Sequence, residues 1–118
     1  MDNEYKAEFY KDIKGFSQAE DYLLKIKLDN ERAKVAVAIK FLCEKGGYLE
    51  ETYSKHVEGK IRELIIKRHR IFYALVGKKI IILLYAFYKN TKKAPPNFIT
   101  RAQKYLDDYI RRSKHEKN

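Results

Sequence analysis

Between residues 60 and 89 the chain carries three apolar runs with almost nothing between them, and few architectures accommodate that. The runs are Lys60 to Lys67, His69 to Val76 and Lys79 to Lys89. They are rich in Ile, Leu, Val, Phe and Tyr, the residue types that fill a pleated surface. A parallel crossover between neighbouring strands needs about a dozen connecting residues. Here the connections are Arg68 and the pair Gly77-Lys78, so the runs predict successive antiparallel strands, with Gly77-Lys78 as a tight hairpin turn. The longest apolar stretch, Ile80 to Tyr88, lies between Lys79 and Lys89. It falls far short of the roughly 20 residues that span a bilayer and reads as a buried strand.

The elements before this sheet follow from local signals. Tyr5, Ala7 and Phe9 alternate with Lys6, Glu8 and Tyr10, the period of a half-buried strand. After Gly15, Ser17 and Glu20 have the spacing of a capping box. Ala19, Tyr22, Leu23 and Ile26 then follow helical spacing, so a first helix is expected to end near Leu28. Asp29 is placed to cap a second helix with Val35, Ala36, Ile39, Leu42 and Cys43 on its apolar face, and Gly46-Gly47 supplies the stop. Residues Tyr48 to Gly59 show no regular period and read as a loop containing Tyr53, Lys55 and His56. Pro95-Pro96-Asn97 breaks the sheet, and Phe98, Ala102, Tyr105, Leu106, Tyr109 and Ile110 mark a closing amphipathic helix. The expected order is β-α-α-β-β-β-α. This is an α+β fold with a mostly antiparallel sheet and two N-terminal helices packed on it, in a single domain over residues 1–118.

Charge is distributed unevenly. Through Ser54 there are 9 Lys/Arg against 11 Asp/Glu, and beyond it 17 against 5. All of the net +10 therefore comes from the second half, which points to a polyanionic partner approached from one side. Solvated lysines kept for solubility explain the count equally well. The lone Cys43 cannot form an internal disulfide, no secretory signal pattern opens the sequence, and a reducing, cytoplasmic location with no membrane partner is expected. The glycines are scattered, without a phosphate-cradling loop. His56, His69 and His115 lack the cysteine partners or i, i+4 pairing of a zinc site. Neither metal nor cofactor is expected, and no Ser has the context of a hydrolase nucleophile.

The cluster Lys67-Arg68-His69-Arg70 stands out between two apolar strands, with Lys55 and His56 upstream and Lys89, Lys92 and Lys93 after the last strand. Residues distant in sequence lie about 5 Å apart across an antiparallel ladder, so these cations can form one phosphate-binding patch. Tyr53, Phe72, Tyr85 and Tyr88 are available to stack unpaired bases. A polar turn beside a purely structural aromatic core is the competing explanation.

At these strands the sequence resembles the phage-derived, HigB-like branch of the RelE/ParE toxins. The matching segments are Lys60-Ile61-Arg62-Glu63-Leu64, Arg70-Ile71-Phe72-Tyr73, and Ile80 to Phe87 followed by Lys89, Thr91, Lys92, Lys93 and Pro95. In that branch the corresponding strands typically read YELR, YRIFY and LLHAFxKKTxKTP. The resemblance implies a RelE-like fold, a helix-turn-helix antitoxin as partner in a hetero-oligomer, and metal-independent cleavage of mRNA on the ribosome by attack of the 2′-hydroxyl on the adjacent phosphate. It also implies that Arg70 holds the scissile phosphate, that Lys89 matches the first lysine of the KK pair, and that Lys55 matches a loop lysine. Ile65, Asn90 and Tyr85 depart from the pattern, standing for an arginine, a second basic residue and a histidine. Lys67 and His56 complete the expected catalytic set with Arg70 and Lys89, and Lys55, Arg68, His69, Tyr88, Lys92 and Lys93 form the expected RNA-binding set. Two further readings are a non-catalytic ParE-like inhibitor of DNA gyrase and a basic nucleic-acid-binding module.

Overall fold

The computed structural model describes residues 4–116. Its elements are β1 (Lys6–Phe9), α1 (Gln18–Leu24), α2 (Asp29–Glu44), β2 (Ser54–Glu58), β3 (Ile61–Ile66), β4 (His69–Val76), β5 (Ile80–Tyr88) and α3 (Pro96–Glu116). The five strands form one sheet in the order β1-β5-β4-β3-β2. Strands β2 to β5 are antiparallel neighbours, whereas β1 pairs with β5 in parallel. The α+β class holds with a mixed sheet.

The expected element order is corrected at one point. The stretch from Tyr48 to Gly59, read as a loop, contains strand β2, so the order is β-α-α-β-β-β-β-α. Ser54–Glu58 shows no apolar alternation because it is an edge strand with β3 as its one neighbour. Lys55, His56 and Glu58 are exposed, charged side chains of the kind that discourage further pairing at an edge. Its one buried residue, Ser54, is held by a local bond in which the Leu49 N–H donates to its hydroxyl at 2.8 Å.

Helix positions follow the capping signals within a few residues. The Ser17 hydroxyl accepts from the Glu20 N–H at 3.1 Å, satisfying one free donor of the α1 N-terminus. That helix ends at Leu24, before the expected Leu28. Asp29 is the first residue of α2, one position inside the expected cap, and it pairs with Arg32. Pro96 opens α3, where its missing N–H costs nothing.

Helices cover both faces of the sheet. On one face Ala19 of α1 and Val35 and Leu42 of α2 pack against Leu64, Ile71, Tyr73, Ile81 and Leu83. On the other, Ala102 and Leu106 of α3 pack against Ile61, Phe72, Ala74, Ile82 and Leu84. Strands buried on both sides lose alternation and become continuous apolar runs, which accounts for β4 and β5. Between Phe72 and Tyr73 the β5 partner changes from Tyr85 to Leu83, leaving Leu84 as an extra residue. Leu84 and Tyr85 consequently both pack against the α3 side. Phe72 is fully buried there, and Phe72→Ala is expected to cost about 3–5 kcal/mol through lost contacts and the cavity left behind.

The β4–β5 connection has three residues, Gly77, Lys78 and Lys79, because Val76 pairs with Ile80. Gly77 and Lys79 both take positive φ, 52° and 62°. Among the described residues no helix is long and apolar enough to cross a membrane.

Candidate nucleic-acid interface

Where β4 begins and β5 ends, the sheet stops in a hollow of about 490 Å³ lined by Arg68, Arg70, Lys89, Asn90, Thr91 and Lys92. Each of its charged residues is a cation. The ladder is extended here beyond its last strand pair, His69 and Tyr88. The Lys89 N–H donates to the Arg68 carbonyl at 2.7 Å, and Arg68 Nε donates to the Lys89 carbonyl at 3.1 Å. Two residues separated by 21 positions are thereby fixed side by side. The Thr91 hydroxyl donates to the Lys93 carbonyl and closes the following turn.

Arg70 is largely buried, with its side chain 13% accessible. Its Nη1 donates to the carbonyls of Lys67 and His69, which anchors the guanidinium against the β3–β4 turn. Its Nε is buried with no hydrogen-bond partner among the described residues. The nearest carboxylate, Glu63, is itself buried, and its Oε1 lies 3.9 Å from Arg70 Nε and 3.9 Å from Lys55 Nζ. These are ion-pair rather than hydrogen-bond separations. A guanidinium with five N–H donors, two of them engaged at Nη1, retains capacity for an anionic ligand.

A second hollow of about 350 Å³ adjoins the basin and shares Lys89, Asn90 and Thr91 with it. Tyr22, Tyr85, Phe87, Tyr88 and Phe98 supply aromatic walls, and Lys93 adds a further cation. Tyr88 is half exposed, and the Arg68 guanidinium lies 5.7 Å from its ring centroid. Phe87 and Phe98 are 5.1 Å apart by ring centroids, so one end of the groove is packed core while Tyr88 faces solvent. Gln18 fixes the floor. Its amide donates to the Ala86 carbonyl at 2.7 Å and accepts from the Ala86 N–H at 2.8 Å, replacing a missing strand partner on β5.

The expected site residues are thus divided. Arg70, Lys89, Arg68 and Lys92 meet in the basin, with Tyr88 and Lys93 in the adjoining groove. Lys55 is on the same sheet face as Arg70 but on β2, joined to it through Glu63. His56 lies on edge strand β2, three strand spacings from β5, or roughly 14 Å. It pairs with Arg62 in the ladder, and its Nε2 donates to the Gly59 carbonyl at 2.9 Å. Lys67 leaves the strand at the β3–β4 turn with φ of 55°. Its ammonium neighbours Glu31 and Lys34 of α2, so it does not take the place that Ile65 leaves apolar.

His69 is buried on the α1 and α2 face. Its Nδ1 bonds Tyr22 Oη at 2.8 Å and its Nε2 bonds Glu31 Oε1 at 2.7 Å. Both ring nitrogens are therefore engaged. The hydrogen bond from His69 holds the Glu31 carboxyl below its usual range. Burial pushes the Tyr22 hydroxyl up to about 12. The ring also meets Tyr88 edge-on, with centroids 5.6 Å apart, so His69 backs the groove instead of lining it.

Sequence reasoning passed over Glu63, Gln18, Tyr22 and Glu31. A lone carboxylate inside the run Ile61 to Ile66 is a usable signal for Glu63, since an unpaired charge is costly in a core. No local signal marks the other three, whose partners are 38 to 68 residues away.

The arrangement suits a single-stranded polyanion, with phosphates over the cations and a base on Tyr88. A family model described as phage derived protein Gp49-like (DUF891) matches residues 21–107. That span holds every basin residue. No curated protein matches the chain.

Proposed function

The chain belongs to the phage derived Gp49-like family (DUF891), and from that premise we propose that residues 1–118 act as one toxin domain of a toxin-antitoxin pair, of the HigB-like kind within the RelE/ParE toxins. Its target is mRNA on the ribosome, which it cuts without a metal. The observation that carries this reading is the junction, at Lys89, Asn90 and Thr91, of an aromatic groove with a basin whose charged residues are all cations.

In the reaction the 2′-oxygen of one nucleotide attacks the adjacent phosphorus and the bond to the 5′-oxygen breaks. The 2′-hydroxyl proton passes to solvent water and the leaving 5′-oxygen takes one from the basin, giving a cyclic phosphate and a free 5′-hydroxyl. Arg70 and Lys89 stabilise the extra negative charge of the pentacoordinate phosphate, the role in which fixed cations contribute most. In this reading the Lys89 ammonium protonates the leaving oxygen. Arg68 and Lys92 hold flanking phosphates, and Tyr88 stacks a neighbouring base. The lining offers cations, an amide and a hydroxyl, with no imidazole or carboxylate to act as a base. Cleavage of free RNA should therefore be slow, with mRNA presented by the ribosome as the productive substrate. An antitoxin is the expected protein partner.

The apolar Ile65 beside Arg70 favours a second reading, in which the cleft binds its target without cutting, as in gyrase-inhibiting relatives. Fluorescence anisotropy with a short single-stranded RNA tests the interface common to both nuclease and RNA-binding versions. Binding should fall about tenfold or more in Arg70→Ala, and the salt slope should decrease by roughly one phosphate contact. Binding unchanged by Arg70→Ala and Lys89→Ala together would remove the basin from the account. An SOS response with intact transcripts in cells expressing the chain would favour the gyrase reading.

A further inference from the structure

Glu63 is a charge held inside the sheet, 4% exposed. By strand alternation it shares the face of Ile61, which packs toward α3. Across the ladders it stands between Lys55 of β2 and Phe72 of β4. A carboxylate buried in this way is costly unless cations stand beside it. Two do, since Glu63 Oε1 lies 3.9 Å from Lys55 Nζ and 3.9 Å from Arg70 Nε. Packing alone would be served as well by an apolar residue, as at Ile61 and Ile65 on the same face of β3. Stability therefore gives a poor account of Glu63, and its effect on Arg70 gives a better one.

The three guanidinium nitrogens of Arg70 have different surroundings. Nη1 donates to the carbonyls of Lys67 and His69. Nε is buried, without a hydrogen-bond partner among the described residues, and Glu63 is the carboxylate nearest to it. The turn carbonyls hold one end of the planar group, and attraction to the carboxylate sets its rotation. This leaves Nη2 as the donor for the basin that Arg70 lines. Small errors in the placement of such a group are expensive, because about 1 Å of displacement can cost on the order of a hundredfold in rate.

We propose that Glu63 is a positioning residue, which fixes the Arg70 guanidinium, and through it the phosphate to be cleaved, without touching the RNA. The role rests on the nuclease reading of the basin. Glu63 also cancels part of the positive field that draws a polyanion to this face. Removing its charge should therefore favour binding and harm cleavage, whereas loss of a residue that served only the fold would harm both.

Glu63→Gln keeps the shape of the side chain and removes its charge, and Glu63→Asp keeps the charge on a shorter stem. Both are compared with the wild-type full chain and with Arg70→Ala in three measurements. These are transcript cleavage at matched protein levels, affinity for a short single-stranded RNA, and the Arg70 Nε–H resonance by NMR. In Glu63→Gln cleavage should fall about tenfold or more, RNA affinity at low salt should be equal to wild type or up to about threefold tighter, and the Nε–H resonance should move or broaden away. Glu63→Asp should recover part of the lost cleavage. Where Glu63→Gln does not fold, Glu63→Asp carries the same test with a smaller loss of cleavage, affinity retained and the resonance moved. Undiminished cleavage, an unmoved Nε–H resonance, or RNA affinity that falls in step with cleavage would overturn the proposal. Absence of cleavage by the wild type would instead sink the nuclease reading, and the resonance and the affinity would then decide the positioning role by themselves.

Discussion

Ile65 stands directly across the β3–β4 ladder from Arg70. Arg70 therefore has an apolar neighbour at the position where the resembling toxins carry a second arginine. The basin draws its charge from the β3–β4 turn and the end of β5 instead. Ile65 is only partly buried, so a longer charged side chain can reach solvent there. Ile65→Arg is expected to tighten single-stranded RNA binding by about three- to tenfold at low salt and to steepen the salt dependence by about one contact. Anisotropy titrations at several salt concentrations check this. A weaker complex would mean that RNA does not pass over this part of the sheet.

The Tyr22–His69–Glu31 chain is a structural brace in this account. His69→Phe leaves the partly buried Tyr22 hydroxyl without its partner, at a cost of about 1 kcal/mol. Urea unfolding should show that loss, whereas RNA affinity, measured where the variant is folded, should stay within about twofold. A large loss of RNA binding without loss of stability would place His69 in the interface itself.

Two tyrosines set the alkaline limit of stability. Burial raises Tyr10 and Tyr22 from the ordinary 10.0 to about 12, and the hydrogen bond to Asp108 adds to the effect at Tyr10. The folded state holds these protons more tightly than the unfolded state. Their contribution is therefore complete below pH 10 and is lost as pH rises from 10 to 12. Melting temperature should fall across that window, and tyrosinate absorbance should show a late-titrating component that shrinks in Tyr10→Phe and in Tyr22→Phe. The fall should be shallower in Tyr22→Phe.

Gly47 is required by its backbone conformation, and a side chain there would also displace Leu75. Its φ is 92°, and an added Cβ would lie 2.4 Å from Leu75 Cδ2. Its carbonyl also accepts from the Tyr73 hydroxyl at 2.7 Å. Gly47→Ala should destabilise the chain by about 1–3 kcal/mol. Gly15→Ala, also at positive φ but with open space around it, should cost less in the same denaturant series.

Strands β3, β4 and β5 were legible because burial on both faces leaves long apolar runs, and α1 and α3 because a Ser cap and a Pro start mark them. Strand β2 was hidden, since an edge strand of charged residues has no apolar period to detect. In the site, the basic cluster was visible as a cluster, but strand alternation decides its distribution. His69 and Arg70 are adjacent in sequence and lie on opposite faces of the sheet. Lys67, expected in the catalytic set, stands in the β3–β4 turn at φ 55°, which turns it toward α2.

The central claim is that the Arg70 basin holds the phosphate at which mRNA is cut. Mapping transcript ends after inducing the wild-type chain and Arg70→Ala, at matched protein levels in the same cells, tests it most directly. The account predicts new 5′ ends within translated messages for the wild type and their loss by about a hundredfold or more in Arg70→Ala. Undiminished cleavage by Arg70→Ala would contradict it.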